Sequence, residues 1–205
     1  MSNKNPLVSI VTPSYNQAEY ITETLESVSA QDYENIEHII QDGGSSDETV
    51  KILTEHDVDW TSEPDDGQAD AINTAFDSAS GDIIGWLNSD DVYFTTDIVS
   101  QVVNIFAQTD ADIIYGDYAV IDDISRVLAI RCLPDFDFGR LRRGCFITQP
   151  SVFFRRDVIL EHKLDVSLEY GMDYEFWLRL AVDGFKFQHI PRVFSGDRNY
   201  AERKI

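Results

Sequence analysis

The 205 residues carry 37 Asp and Glu against 16 Lys and Arg, a formal net charge of −21, with 43% hydrophobic and 12% aromatic residues. That apolar content supports one substantial core and excludes a disordered chain. The acidity argues against nucleic acid as a partner, because phosphate binding needs a basic stripe.

No apolar run approaches the roughly 20 residues of a membrane helix, and the polar start MSNKNP does not resemble a signal peptide. The expectation is a cytoplasmic protein, with peripheral membrane attachment left open. The chain has 25 Asp but only 5 Lys. That bias points to a halophile-like surface, on which salt screens self-repulsion; ordinary acidic solubility is the alternative. Cys132 and Cys145 form neither a zinc pair nor a redox motif and are expected to be packing residues. The four histidines are scattered, without HExxH, and are expected in the core or on the surface.

LVSIVTPSYN (7–16) is a continuous apolar run, as in a strand covered on both faces, ended by Pro13. EYITETLESVSAQ (19–31) places Ile21, Leu25 and Val28 on one side of a helix. IEHIIQ (36–41) is the second strand and runs into DGGSSDET, where Ser45 and Glu48 have capping-box spacing for a helix over 46–56. VDWTSE (58–63) is a short third strand, and QADAINTAFDSA (68–79) is a helix closed by Gly81. DIIGWL (82–87) is a fourth strand, followed by a helix over 97–108 and a strand over 112–116. Strand–helix alternation with short connections predicts an α/β fold with a mostly parallel sheet.

From residue 117 the pattern changes. YAVIDDISRVLAIR (118–131) reads as a hairpin turning near Asp122 and Asp123, Ser151–Phe154 as a strand, and DYEFWLRLAVDG (173–184) as an amphipathic helix with Phe176, Leu180 and Val182 apolar and Gly184 as its C-cap. Trp177 and the Phe146–Phe154 aromatics are expected in the core. No linker, repeat or low-complexity segment appears, so the chain reads as one domain over 1–205, with a front half over about 7–116 and a more irregular back half over about 117–205.

Parallel sheets bind ligands beyond the carboxyl ends of their strands. The polar clusters at 13–17, 42–47 and 88–91 all fall at that edge. Asp90 and Asp91 end an apolar strand, where adjacent carboxylates repel and lose hydration; they are either a solvated turn or a pair that a divalent cation carrying a diphosphate would neutralise. Asp42-Gly43-Gly44 is either a plain turn or a place where glycines let a ligand approach the backbone. Asp173, in the first turn of its helix, is either a residue favoured by the helix dipole or a general base. There is no GxGxxG or GxxxxGK[ST], against dinucleotide oxidoreductases and P-loop NTPases.

VSIVTPSYNQAEYI, DGGSSDET, AINTAF…ASGDIIGWLNSDD and MDYEFWLRL, in this order, resemble the family-2 inverting glycosyltransferases of GT-A fold, over about residues 7–190. The resemblance implies a Rossmann-like sheet with a nucleotide-sugar-binding front half and an acceptor and catalytic-base back half. It places Thr12, Pro13 and Tyr15 at the nucleotide base, with Asp42 hydrogen-bonding that base. Many members have a second Asp next, where this chain has Gly43. Gln68 and Asp70 are a looser match at the helix start facing the donor. Asp90 would meet the ribose and Asp91 the metal, Mn²⁺ or Mg²⁺, that bridges the diphosphate, with Asn88 at the first acidic position of the DxD feature. Met172 replaces the Glu of the family's ED pair, and Asp173 takes the base position. The basic residue that closes over the diphosphate near the last strand has Arg198 as its counterpart.

The implied activity is metal-dependent, inverting transfer from a nucleotide-sugar donor, UDP-linked by preference, to a glycan or polyprenyl-linked acceptor. A lipid carrier would hold the enzyme at the inner face of the cell membrane. Two rivals are a sugar-phosphate nucleotidyltransferase, disfavoured because residues 13–20 have no Arg or Lys to hold a triphosphate, and a degenerate nucleotide-sugar-binding protein, which would have no need of Asp173.

Overall fold

The computed structural model describes residues 5–201, so Met1–Lys4 of the polar start lie outside the described residues. The front half alternates as its apolar periodicity predicts: β1 (Val8–Ser14), α1 (Ile21–Ser29), β2 (Ile36–Asp42), α2 (Thr49–Thr54), β3 (Asp59–Ser62), α3 (Gln68–Ser78) and β4 (Ile83–Trp86). Every residue of β1 and β4 is buried, as befits strands covered on both faces. β1 pairs in parallel with β2 and β4, and β2 with β3, so the carboxyl ends of all four strands share one edge. α3 lays Ala69, Ile72, Ala75 and Phe76 against this sheet, in one core with Val11, Ile84 and Trp86.

The chain continues with β5 (Val92–Tyr93), α4 (Ile98–Gln108) and β6 (Ile113–Ile121), which runs into the back half, and then β7 (Val127–Arg131), α5 (Phe138–Leu141), β8 (Val152–Arg155), α6 (Arg156–Glu161), α7 (Met172–Val182) and β9 (Phe187–Arg198). The sheet runs β3-β2-β1-β4-β8-β6-β9-β5, with β7 added to β6. β8 inserts antiparallel between β4 and β6, whereas β9 lies parallel to β6. The sheet is therefore mixed: β3, β2, β1 and β4 form one parallel block, β6 and β9 a second parallel pair, and β8, β7 and β5 join antiparallel.

Several local expectations are corrected. Ser45 and Glu48 form no capping box: α2 starts only at Thr49, whose backbone amide is taken by Asp47 Oδ1 at 3.0 Å, while the Ser45 hydroxyl turns to Asp42. Gly81 does not cap α3, which ends at Ala79; a Cβ on Gly81 would lie 2.6 Å from the Ser9 backbone nitrogen, so the glycine is needed for close packing on β1. Val182 is 69% exposed rather than part of the apolar stripe of α7. Cys132 and Cys145 are both exposed residues and not core packing, although the Cys145 thiol is partly buried and donates to the Ile147 carbonyl at 3.3 Å. Trp177, Phe153 and Phe154 are fully buried as expected, and Gly184 ends α7 in the left-handed conformation, φ 91°.

Candidate functional site

The apolar run of β4 delivers Asn88–Asp91 to the shared carboxyl edge. The turn is fixed from two sides. Thr24, fully buried on α1, donates its hydroxyl to the carbonyls of Ser89 (3.0 Å) and Asp91 (2.8 Å). On the other side Asn88 Oδ1 accepts from the Trp86 indole at 3.0 Å and from Gln68 Nε2 at 3.4 Å. Asn88 at the first position of the motif thus serves as a structural acceptor, and Gln68 at the start of α3 is brought to the same turn.

Asp91 is fully buried, with Oδ1 accepting the Arg198 backbone amide at 2.9 Å. Asp90 is 9% exposed, and its Oδ2 accepts the Tyr200 hydroxyl at 3.1 Å. Arg198 does not face this opening. Its side chain is fully buried: Nε donates to the Asp90 carbonyl at 2.7 Å, one Nη to Glu23 at 2.8 Å, and the guanidinium lies 4.8 Å from the Tyr20 ring centroid. In this conformation it is a tie between β9, α1 and the 88–91 turn rather than a cation closing over a diphosphate.

The donor atoms at the turn are adjacent carboxylates, hard oxygens that suit Mg²⁺ or Mn²⁺. Among the described residues no group of three or more His, Cys, Asp or Glu could hold a metal ion. A hard cation here would complete its shell with phosphate oxygens and water, the usual arrangement for Mg²⁺ at phosphate sites.

The first two strand ends behave differently from one another. Thr12 and Pro13 are buried, and the Thr12 hydroxyl is 3.0 Å from His38 Nε2, so neither presents an open polar group. Tyr15 is 63% exposed at the same edge. Asp42 is fully buried; its carboxylate accepts from the Gly44 and Ser45 amides and from the Ser45 and Ser62 hydroxyls, at 2.5 to 3.2 Å. It shapes the Gly43–Ser45 loop, and Gly44, with φ 80°, takes a conformation that suits glycine.

Gly43 exposes a residue that sequence reasoning missed. A Cβ there would lie 2.5 Å from Asp65 Oδ2, so the Asp65 carboxylate, arriving from the β3–α3 loop, occupies the space beside Gly43. Burial first, and then the charges of Asp70, Asp42 and Asp66, hold the Asp65 carboxyl above its ordinary range, against a hydrogen bond from the Gly67 amide. No local motif marks it.

Asp173 sits in the first turn of α7, behind Gly171, which is left-handed at φ 68°. Burial raises its carboxyl above the usual range, although the amides of Asp173 and Tyr174 pull the other way. Glu175, the nearest alternative base, is committed to Arg179 through two hydrogen bonds of 2.8 and 2.9 Å. α7 is tied to the 88–91 turn through its core: the Trp177 ring packs 6.4 Å from that of Trp86, whose indole holds Asn88. Strand end, loop and helix start thereby bring a carboxylate pair and a raised carboxyl onto one framework.

A family model described as "Glycosyl transferase family 2" matches residues 9–157. An uncharacterized glycosyltransferase of Rickettsia prowazekii is 32% identical over 204 residues, covering 90% of this chain and 62% of its own length. The Escherichia coli protein WfgD, a UDP-Glc:alpha-D-GlcNAc-diphosphoundecaprenol beta-1,3-glucosyltransferase, is 31% identical over 181 residues, with 86% of this chain and 70% of that protein covered. The chain therefore spans somewhat less than two thirds of the Rickettsia relative. Among solved structures, residues 1–349 of Staphylococcus aureus TarS in complex with UDP-GlcNAc superpose with a TM-score of 0.79 at 17% identity, covering 96% of this chain and 60% of that one. The Pyrobaculum calidifontis mannosyltransferase PcManGT, in complex with GDP-Man and Mn²⁺, gives 0.74 at 18% identity over 95% of this chain and 57% of that one. These likenesses establish the GT-A fold.

Proposed function

The chain belongs to glycosyl transferase family 2, and on that premise we propose that it transfers a sugar, with inversion, from a UDP-sugar to a hydroxyl of a glycan or lipid-linked acceptor. The donor and acceptor classes are supported by the activity in the name of WfgD and by the UDP-GlcNAc complex of TarS. The observation that carries the reading is Asp173: a partly buried carboxyl, raised above its ordinary range and with its neighbour Glu175 already paired. A module that only bound nucleotide sugars would have no use for such a group.

In the proposed reaction Asp173 takes the proton of the acceptor hydroxyl as that oxygen attacks the anomeric carbon from the face opposite the diphosphate, in one displacement without a covalent enzyme intermediate. A positioned base of this kind contributes about 10²–10⁴-fold. Tyr15 and the Asp42-shaped loop would border the uracil, with Asp65 beside Gly43 as a further polar contact. Gln68 and Asp90 would face the sugar and ribose. Asp91 would hold Mn²⁺ or Mg²⁺, which when bound supplies neutralising charge to the departing diphosphate.

Calorimetry of UDP binding with and without Mn²⁺ tests the donor half of this reading. The parent protein should bind more tightly with the metal, and Asp91→Ala should lose that enhancement while keeping its fold. Equal affinities in both proteins, with and without metal, would refute the assignment.

A further inference from the structure

The β6–β7 hairpin and the segment that follows it differ in charge from the rest of the molecule. Residues 122–145, the hairpin turn included, hold five of the chain's 11 Arg and four acidic residues, while everything else carries 11 basic and 33 acidic side chains. Arg131, Arg140, Arg142 and Arg143 are exposed, and among the described residues none of them forms an ion pair. Four exposed arginines without carboxylate partners make residues 131–143 locally positive on an otherwise acidic surface.

The same stretch is apolar. Successive side chains of a strand point to opposite faces, yet Val127, Leu128 and Ile130 of β7 are 49, 57 and 47% exposed. The strand therefore stands clear of the core on both sides. Among the described residues β7 pairs with β6 alone, and none of them covers its outer edge with a further strand. Ile124 at the hairpin turn and Phe138 on α5 are exposed as well.

The inner side of the excursion is firmly held. The Leu133 amide donates to Asp117 at 2.8 Å, the Tyr115 hydroxyl to the Pro134 carbonyl at 2.7 Å, and Phe136 stacks on Phe187 at 4.5 Å. Its far end reaches the candidate base: Tyr174, next to Asp173, donates its hydroxyl to the Leu141 carbonyl at 2.7 Å. Burial and then the charge of Asp173 raise the Cys145 thiol to about 11, which places the sulfur within that carboxylate's field.

We infer that the exposed face of β7 and the arginines of residues 131–143 dock on an anionic phospholipid surface, with the Asp173 side of the molecule toward the bilayer. Apolar side chains interspersed with arginines match the boundary between headgroups and acyl chains. Charge complementarity selects the occupant. Antiparallel pairing of β7 with a second copy would crowd Arg126 and Arg131 of one chain against those of the other. An anionic bilayer meets only the basic face, because repulsion from the acidic remainder is screened within about 8 Å at physiological salt. The inference rests on the proposed lipid-linked acceptor only for its biological use: a docked enzyme would meet an acceptor confined to the bilayer.

Cosedimentation of the whole chain with phosphatidylcholine vesicles, with and without about 30% phosphatidylglycerol, tests it. The parent should bind the anionic vesicles at least about tenfold better and release them as salt rises. Each arginine near the surface contributes roughly fivefold. The triple variant Arg140→Gln, Arg142→Gln, Arg143→Gln should therefore bind about a hundredfold more weakly, with UDP affinity and thermal midpoint unchanged. Leu128→Ser with Ile130→Ser should also weaken binding without unfolding the chain, since both side chains are exposed. No binding, equal binding to neutral vesicles, or an unaffected triple variant would overturn the inference. So would a concentration-dependent dimer in sedimentation velocity that Leu128→Ser and Ile130→Ser abolish, which would make the occupant a second copy. Vesicle binding requires neither donor nor turnover, so failure of the UDP-sugar reading would appear separately, in calorimetry.

Discussion

The backbone amide of Arg198 donates to Oδ1 of Asp91 at 2.9 Å, while the same residue's guanidinium, fully buried, reaches Glu23. One residue at the end of β9 thus joins the candidate donor site to α1. The Glu23 side chain is 45% exposed, so water can solvate the carboxylate left behind, and losing the buried guanidinium with its hydrogen bonds should cost about 1–3 kcal/mol. At roughly 2–4 °C per kcal/mol for a chain of this size, Arg198→Ala should unfold about 2–12 °C below the parent in a thermal melt. An unchanged midpoint with lost UDP affinity would instead give Arg198 the diphosphate-closing role that its sequence position suggests.

Gly43 and Asp65 compete for one space. Gly43→Ala would put a Cβ 2.5 Å from Asp65 Oδ2. The far end of a short side chain can swing aside, so the stability cost should be small, within about 1 kcal/mol. UDP affinity should fall several-fold, because Asp65 is displaced from the loop proposed to border the base. Asp65→Asn should lower affinity similarly. Unchanged calorimetric affinity in both variants would leave Asp65 only a loop residue.

His38 supplies a pH signature. Complete burial lowers its pKa to about 3, against about 6.5 in the unfolded chain. Below pH 6.5 the unfolded state gains a proton that the folded state refuses, so stability must fall with falling pH, by at most about 1.4 kcal/mol per unit. Raised carboxyls such as Asp173 and Asp65 act with the opposite sign, so the readout is a difference. Between pH 6.5 and 5, urea unfolding of His38→Gln should show a shallower acid decline than the parent. Identical slopes would refute the neutral, buried imidazole.

The charge of −21 makes a separate proposal testable. If self-repulsion weakens the fold, the thermal midpoint should climb continuously from low salt to molar KCl. A plateau above about 0.2 M, where the screening length is already short, would leave ordinary acidic solubility as the explanation.

The front half was legible because its strands are unbroken apolar runs and its helices keep one apolar face. Those signals are local and survive without tertiary information. The position of Asp90 and Asp91 at a carboxyl edge followed from them. β9 was not legible: Phe187–Arg198 includes Pro191, Arg192, Gly196 and Asp197 and is a strand because β6 pairs with it. β5 has only two residues, too short for any periodicity. Ser45 carried the spacing of a cap, but Asp42, a tertiary neighbour at the strand end, won its hydroxyl. Nothing local marks Thr24 within EYITETLESVSAQ, and its hold on the 88–91 turn appears only once α1 packs there. Asp65 lay hidden for the same reason, since its place depends on how closely one loop approaches a glycine in another.

Asp173 bears the claim of enzymatic activity, and Asp173→Asn tests it most directly, because the amide keeps the shape of the carboxyl and cannot accept the proton. The measurement is kcat with a UDP-sugar and a lipid-linked acceptor, alongside the donor Kd, for parent and variant. The account predicts a fall in kcat of about 10²–10⁴-fold with donor Kd nearly unchanged, and an acid limb in the parent's pH profile lying above the ordinary carboxylate range, as the raised carboxyl requires. Retention of more than about a tenth of the parent's turnover would contradict it and reduce Asp173 to a residue favoured by the start of α7.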